Sequence, residues 1–225
     1  MYIEVNGIKI HYEILGKGKP IILLNPNSTN TYLMKFIANK LSKEYEVFLF
    51  DRRCSGKSSK NCDLSYEESA KDVYEFIKKL NLNKPYILGS SGGASVALFL
   101  AITYPDCISK LVLCSGVARF SKIKIPEFYQ KIRRFTFIKS IIKAEAFYKL
   151  NEKSRELTSD DLSKIIVPTL VVNGGKKDIV PAEEAKYLAD NINNSKLIIL
   201  EKEKHFSYMI NCKWYDKLKK FLELE

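Results

Sequence analysis

The chain has 225 residues, 46% hydrophobic and 28% charged, enough apolar material for a single sizeable core. Its net charge of +11 comes from 31 lysines and 6 arginines spread along the sequence; that is a solvated surface, not the arginine-weighted face that grips phosphate, and no nucleic-acid partner is expected. No apolar run reaches the roughly 18 residues of a membrane-spanning helix, so no integral membrane segment is expected.

The opening stretch YIEVNGIKIHYEIL reads as two short strands joined at Asn6-Gly7, a strong hairpin signal. PIILLN is a short apolar strand, STNTYLMKFIANKLSKEY a helix with Ser28 as cap, and EVFLFD a second buried strand. LSYEESAKDVYEFIKKL carries Ser65 and Glu68 as a capping box, with Tyr66, Ala70, Val73, Ile77 and Leu80 on one buried face. PYILGS is a strand entering a glycine turn, and ASVALFLAITYP is a helix apolar on nearly every side. SKLVLCS and PTLVVNGG follow as strands, AEEAKYLADNI as a helix, SKLIILE as a strand and WYDKLKKFLEL as a closing helix. Short apolar strands alternating with helices predict a mostly parallel sheet covered on both faces, with the hairpin as an antiparallel edge. Residues 117–165 break the rhythm. They hold no strand, and Phe128, Ile132, Phe135, Ile138 and Ile142 recur at helical spacing, so the segment is expected to be a helical cap inserted in one domain spanning 1–225.

Between a strand and a buried helix stands Gly89-Ser90-Ser91-Gly92-Gly93, a G-x-S-x-G pattern centred on Ser91. Such a turn holds its serine in a strained backbone conformation at the carboxyl end of a strand, with the hydroxyl raised above the sheet. The helix that follows presents N–H groups to developing negative charge, and the Gly92 N–H is an oxyanion donor in this reading. A serine hydroxyl needs a base. Of two histidines, His11 lies in the opening hairpin and is read as structural or exposed, whereas His205 follows the last strand. Loops at one end of a parallel sheet converge, which brings His205 toward Ser91. Asp178, in VVNGGKKDIVP, is the candidate partner for the far imidazole nitrogen; its plainer role would be to cap the helix after Pro181. Glu201 and Glu203 are nearer to His205 along the chain but sit on its approach strand.

The order Ser91, Asp178, His205, together with the hairpin, DRRCSGKSS, the glycine turn and PTLVVNGGKKDIVP, resembles the α/β-hydrolase superfamily over essentially the whole chain. Asp51 to Ser58 resembles the family turn D-x-R-G-x-G-x-S, a mainly structural element, with Cys54 in place of a glycine. Where the family has His-Gly and then an oxyanion donor, this chain has Asn25-Pro26-Asn27, so by position Asn27 supplies the second N–H. Pro26 shapes that loop differently from glycine. Lys204 stands where a glycine is common before the histidine, and Lys202 and Lys204 would disfavour an imidazolium if they pointed inward.

The resemblance implies an α/β-hydrolase fold and a serine hydrolase acting on a carboxylic ester or related acyl bond, with no metal and no organic cofactor. Aromatic residues of the cap (Phe120, Phe128, Tyr129, Phe135, Phe137, Phe147 and Tyr148) suit a small to medium apolar acyl substrate, although most of them are expected to pack the cap onto the body. Arg119, Arg133 and Arg134 are expected on a solvated face. Two other classes stay open: a non-catalytic ligand-binding member of the fold, favoured by the altered Asn25-Pro26-Asn27 loop, and a lipase acting at anionic lipid surfaces, favoured by the charge. Five cysteines (54, 62, 107, 114 and 212) without C-x-x-C spacing, and an N-terminus without a basic and apolar leader pattern, give the expectation of a cytoplasmic protein with reduced thiols.

Overall fold

A computed structural model describes residues 1–27, 29–123, 150–151, 153–175 and 178–224. Its strands are β1 (Tyr2–Val5), β2 (Ile8–Leu15), β3 (Lys19–Leu24), β4 (Tyr45–Phe50), β5 (Tyr86–Ser90), β6 (Lys110–Cys114), β7 (Thr169–Gly174) and β8 (Ser195–Leu200). Asn6 and Gly7 take φ of 49° and 72°, the left-handed pair that a two-residue hairpin turn needs. The sheet runs β1-β2-β4-β3-β5-β6-β7-β8, with β2 antiparallel to both β1 and β4 and every later pairing parallel.

The described α-helices are α1 (Lys35–Leu41), α2 (Tyr66–Lys79), α3 (Gly92–Thr103), α4 (Ser159–Ser163), α5 (Ala182–Asn191), α6 (Ser207–Asn211) and α7 (Tyr215–Glu223). Alternate strand residues feed two apolar layers. Ile22, Leu24, Ile87, Leu111 and Val171 pack with α2, α3 and α5 on one face. Ile21, Leu23, Leu88, Val112 and Val172 pack with α1, α6 and α7 on the other. Both faces are covered, which is why these strands are apolar at consecutive positions. Helix α3 is buried continuously from Gly92 to Ala101, as its all-round apolar sequence requires.

The helix expected after β3 is shorter than its sequence pattern. A 3-10 turn at Thr31–Met34 precedes α1, and Asn30 caps that turn by accepting from the Tyr32 N–H; Ser28 lies outside the described residues. The capping box of α2 is half formed. Ser65 Oγ accepts from the Glu68 N–H at 3.0 Å, but the Glu68 carboxylate turns away to Asn6 and Arg53. Helix α6 was not foreseen: its five residues form a single turn that the spacing of apolar residues does not reveal.

Of residues 117–165, the ends are described. Phe120, Leu150, Leu157, Leu162 and Ile165 bury into the layer that holds α2 and α3. The Leu157 N–H donates to Ala118 O at 2.9 Å. The central stretch expected to be helical, with Phe128, Tyr129, Ile132, Arg133, Arg134, Phe135, Phe137, Ile138, Ile142, Phe147 and Tyr148, lies outside the described residues.

Candidate active site

Ser91 occupies the junction of β5 and α3 with φ 52° and ψ −120°, a strained conformation for a residue with a side chain. Its N–H donates to Cys114 O at 2.8 Å, which fixes the turn to β6. The flanking glycines are sterically required. A Cβ on Gly89 would overlap Gly93 O, one on Gly93 would overlap Leu24 O, and one on Gly92 would overlap the Asn27 side-chain amide. The turn is thus pressed against β3 and the loop that follows it.

His205 Nε2 lies 3.0 Å from Ser91 Oγ, and His205 Nδ1 lies 2.5 Å from Asp178 Oδ1. The structure therefore brings together Ser91, His205 and Asp178, from the ends of β5, β8 and β7. Asp178 is not a helix cap. Its Oδ1 also accepts from the Val180 N–H at 3.0 Å, and its Oδ2 from the Gly174 N–H at 3.0 Å and Ser115 Oγ at 2.8 Å. Gly174 permits this approach, because a Cβ there would stand 2.6 Å from Asp178 Oδ2. Burial alone would raise the Asp178 pKa; the His205 hydrogen bond and charge, with the Val180 and Ser115 donors, outweigh it and hold the carboxyl below its ordinary value. An anionic Asp178 accepting from Nδ1–H leaves the Nε2 lone pair toward Ser91.

Two members of this constellation were not singled out from the sequence. Ser115, at φ 48°, is the first residue past β6, and its hydroxyl links Asp178 to Tyr208, whose oxygen is 2.5 Å away. Burial, reinforced by Cys114 and Asp178, pushes the Tyr208 hydroxyl well above its ordinary value, so Tyr208 donates to Ser115 and Ser115 donates to Asp178. The available signal was positional: Ser115 ends an apolar strand whose neighbours carry Ser91 and Asp178.

The Asn25-Pro26-Asn27 loop is held by side chains. Arg52, buried and without a carboxylate partner among the described residues, donates from Nε to Asn25 O at 2.9 Å and from Nη2 to Asn27 Oδ1 at 2.6 Å. Burial lowers its pKa to about 10, so the guanidinium stays charged at neutral pH. Asn25 Nδ2 donates to Ser55 Oγ at 2.8 Å and Thr29 O at 3.0 Å. Asn27 Nδ2 donates to Tyr66 OH at 2.8 Å, and Tyr66 OH donates to Asn151 Oδ1 at 2.7 Å. Among the described residues, neither the Gly92 N–H nor the Asn27 N–H has an acceptor.

The remaining singled-out residues lie elsewhere. His11 is buried rather than exposed, with Nδ1 2.9 Å from Asp51 Oδ2. Asp51 also accepts from the N–H groups of Thr31 and Lys57 at 2.9 and 3.0 Å, and Arg53 pairs with buried Asp72 at 2.7 Å. Glu203 accepts from Ser207 Oγ at 2.5 Å on the rim of α6, and Lys202 and Lys204 are exposed. Arg119 pairs with buried Glu184 at 2.7 Å and lies over the Tyr187 ring, so it ties the chain after β6 to α5 instead of facing solvent alone. Phe120 stacks on Tyr66, a packing role. Among the described residues, no group of acidic, histidine and cysteine side chains could hold a metal ion, and no helix is long and apolar enough to cross a membrane.

The model of a family described as alpha/beta hydrolase fold matches residues 19–141, more than half of the chain. The chain belongs to the alpha/beta hydrolase fold family. The mouse (Mus musculus) protein named serine hydrolase BPHL is 28% identical over 230 residues, covering 90% of this hydrolase and 79% of the relative. An N-acyl homoserine lactone degrading enzyme shares the fold with a TM-score of 0.83 and 22% identity, covering 98% of this chain and 99% of that one. The enol-lactonase of Burkholderia xenovorans LB400 does so with a TM-score of 0.81 and 20% identity, covering 100% of both chains.

Proposed function

We propose that this hydrolase cleaves a carboxylic ester, or a related acyl bond, of a small to medium apolar substrate through Ser91, His205 and Asp178. The observation that carries this reading is the unbroken hydrogen-bonded line from Ser91 Oγ through His205 to Asp178, at 3.0 and 2.5 Å. His205 Nε2 takes the proton as Ser91 Oγ attacks the acyl carbonyl, and Asp178 holds the tautomer and stabilises the cation that forms. The tetrahedral oxyanion falls to the open N–H groups of Gly92 and Asn27. His205 then protonates the leaving group, and water, activated by the same imidazole, releases the acyl-enzyme.

Cyclic esters belong to this substrate class, and two structural neighbours, the N-acyl homoserine lactone degrading enzyme and the enol-lactonase, are named for lactones. Residues 117–165 act as the cap in this reading. Asn151 and Phe120 meet Tyr66, which touches Asn27, so the described ends of the segment sit beside the acyl site.

The test is labelling with a fluorophosphonate, which reacts with an activated serine whatever the natural substrate. Modification mapped to Ser91 and abolished in Ser91→Ala and His205→Ala is the expected result. A folded wild-type protein that stays unlabelled refutes the triad and leaves a non-catalytic ligand-binding role.

A further inference from the structure

Cys54 stands where the resembling turn carries glycine, and it adopts φ 58°, a left-handed conformation unfavourable for any side chain. Its sulfur does not lie idle there. Cys54 Sγ is 2.8 Å from Cys62 Sγ, eight residues along the chain. That is beyond the disulfide bond length of about 2.05 Å yet inside the ordinary contact of two unbonded sulfurs. The segment between them is pinned at Cys54 and at Ser59: the Cys54 N–H donates to Ser59 O at 2.9 Å, and the Ser59 N–H donates to Lys9 O of β2 at 2.9 Å. Both thiols are half-buried, open enough for a small reagent, whereas Cys114 and Cys212 are buried. Among the described residues no other pair of cysteine sulfurs is in contact.

We infer that Cys54 and Cys62 form a modification site, a dithiol that closes to an intramolecular disulfide when it meets a small oxidised disulfide. The Cys62 thiolate attacks one sulfur of the reagent R–S–S–R, and one R–S⁻ leaves and takes up a proton. Cys54, losing its proton to solvent, attacks the Cys62 sulfur of the mixed disulfide and expels the second R–S⁻. Two protein thiols are oxidised, one small disulfide is reduced to two thiols, and no other reactant is needed. Burial and the adjacent Cys62 sulfur raise the Cys54 thiol above its ordinary value, so its deprotonation falls to the second step, in which the Cys62 sulfur is already within reach at 2.8 Å. The closed bridge clamps the turn directly after Arg52, whose guanidinium holds Asn25 and Asn27.

The experiment treats the native protein with glutathione disulfide, quenches it with acid, alkylates the denatured chain and maps the peptides. A Cys54–Cys62 cross-link, an intact mass lower by about 2 Da and loss of two of the five alkylatable thiols are expected, all restored by dithiothreitol. In Cys54→Ser the reaction is expected to stop at glutathione attached to Cys62. Glutathione accumulating on either cysteine of the wild-type protein without a cross-link, or a bridge between other cysteines, overturns the proposal. The mapping reads no enzyme activity, so its outcome stands apart from that of the triad.

Discussion

Asp178→Asn is the sharpest perturbation of the proposed site. Four donors converge on this carboxylate: His205 Nδ1, Ser115 Oγ, and the N–H groups of Gly174 and Val180, at 2.5, 2.8, 3.0 and 3.0 Å. An asparagine offers one acceptor oxygen and one NH₂ group in nearly the same shape. If the oxygen faces His205, the NH₂ opposes the Gly174 N–H, a fixed donor left without a partner at a cost of about 1–3 kcal/mol. If the NH₂ faces His205, Nδ1 must accept, the proton moves to Nε2, and the lone pair aimed at Ser91 is lost. Both orientations remove the anion that stabilises the imidazolium. Labelling of Ser91 is expected to slow by about 10³–10⁴-fold, on the order of 4–5 kcal/mol in the barrier, with a thermal midpoint lower by several degrees. The assay is the time course of fluorophosphonate incorporation followed by intact mass, beside a thermal melt. A folded Asp178→Asn variant that labels within about threefold of wild type refutes the assignment of Asp178.

Ser115→Ala removes the hydroxyl between Tyr208 and Asp178 and strands the Tyr208 donor in the core; a loss of about 1–3 kcal/mol in urea unfolding is expected, with labelling slowed about tenfold as Asp178 loses a restraint. Gly92→Ala drives a methyl group into the Asn27 amide, so labelling should fall by about 10²-fold or more while circular dichroism keeps the helical signal. Acid should weaken the fold through carboxylates held below their ordinary values, among them Asp161, by the Arg155 hydrogen bond against burial and by Thr158, and Asp178, by its donors. A depressed folded value means that the contribution is complete above the unfolded value of about 4 and drains as pH falls below it. The thermal midpoint is therefore expected to drop on acidification through that range, and less steeply in Asp161→Asn; an unchanged slope in the variant contradicts the sign.

Much of the fold was legible because both faces of the sheet are covered. Strands such as PIILLN and KLVLC are apolar at consecutive positions, and helices alternate between them. The order of Ser91, Asp178 and His205 could be read because the carboxyl ends of parallel strands share one side of the sheet. What escaped depends on contacts between elements distant in sequence. Ser115 and Tyr208 are separated by 93 residues, yet their hydroxyls meet directly beside Asp178. Arg52 could be placed in a turn motif, but nothing local announced that its guanidinium would hold Asn25 and Asn27 in a loop where Pro26 has no N–H to give. Glu68 matched a capping box, yet Arg53 and Asn6, brought alongside by the sheet, compete for its carboxylate.

The three chemical groups ride on parts of the sheet with unequal protection. Ser91 follows β5, which has a partner on each side; His205 follows β8, the outermost strand, bonded on one side only and partly exposed along its length. Local opening begins at such margins and costs less than global unfolding. On warming or in mild denaturant, the imidazole is therefore the first group to leave its station, while the serine still sits in an intact frame. Loss of fluorophosphonate labelling at Ser91 is then expected before melting and is expected to reverse on cooling, with amide exchange rising in β8 and α6 while β5 stays protected.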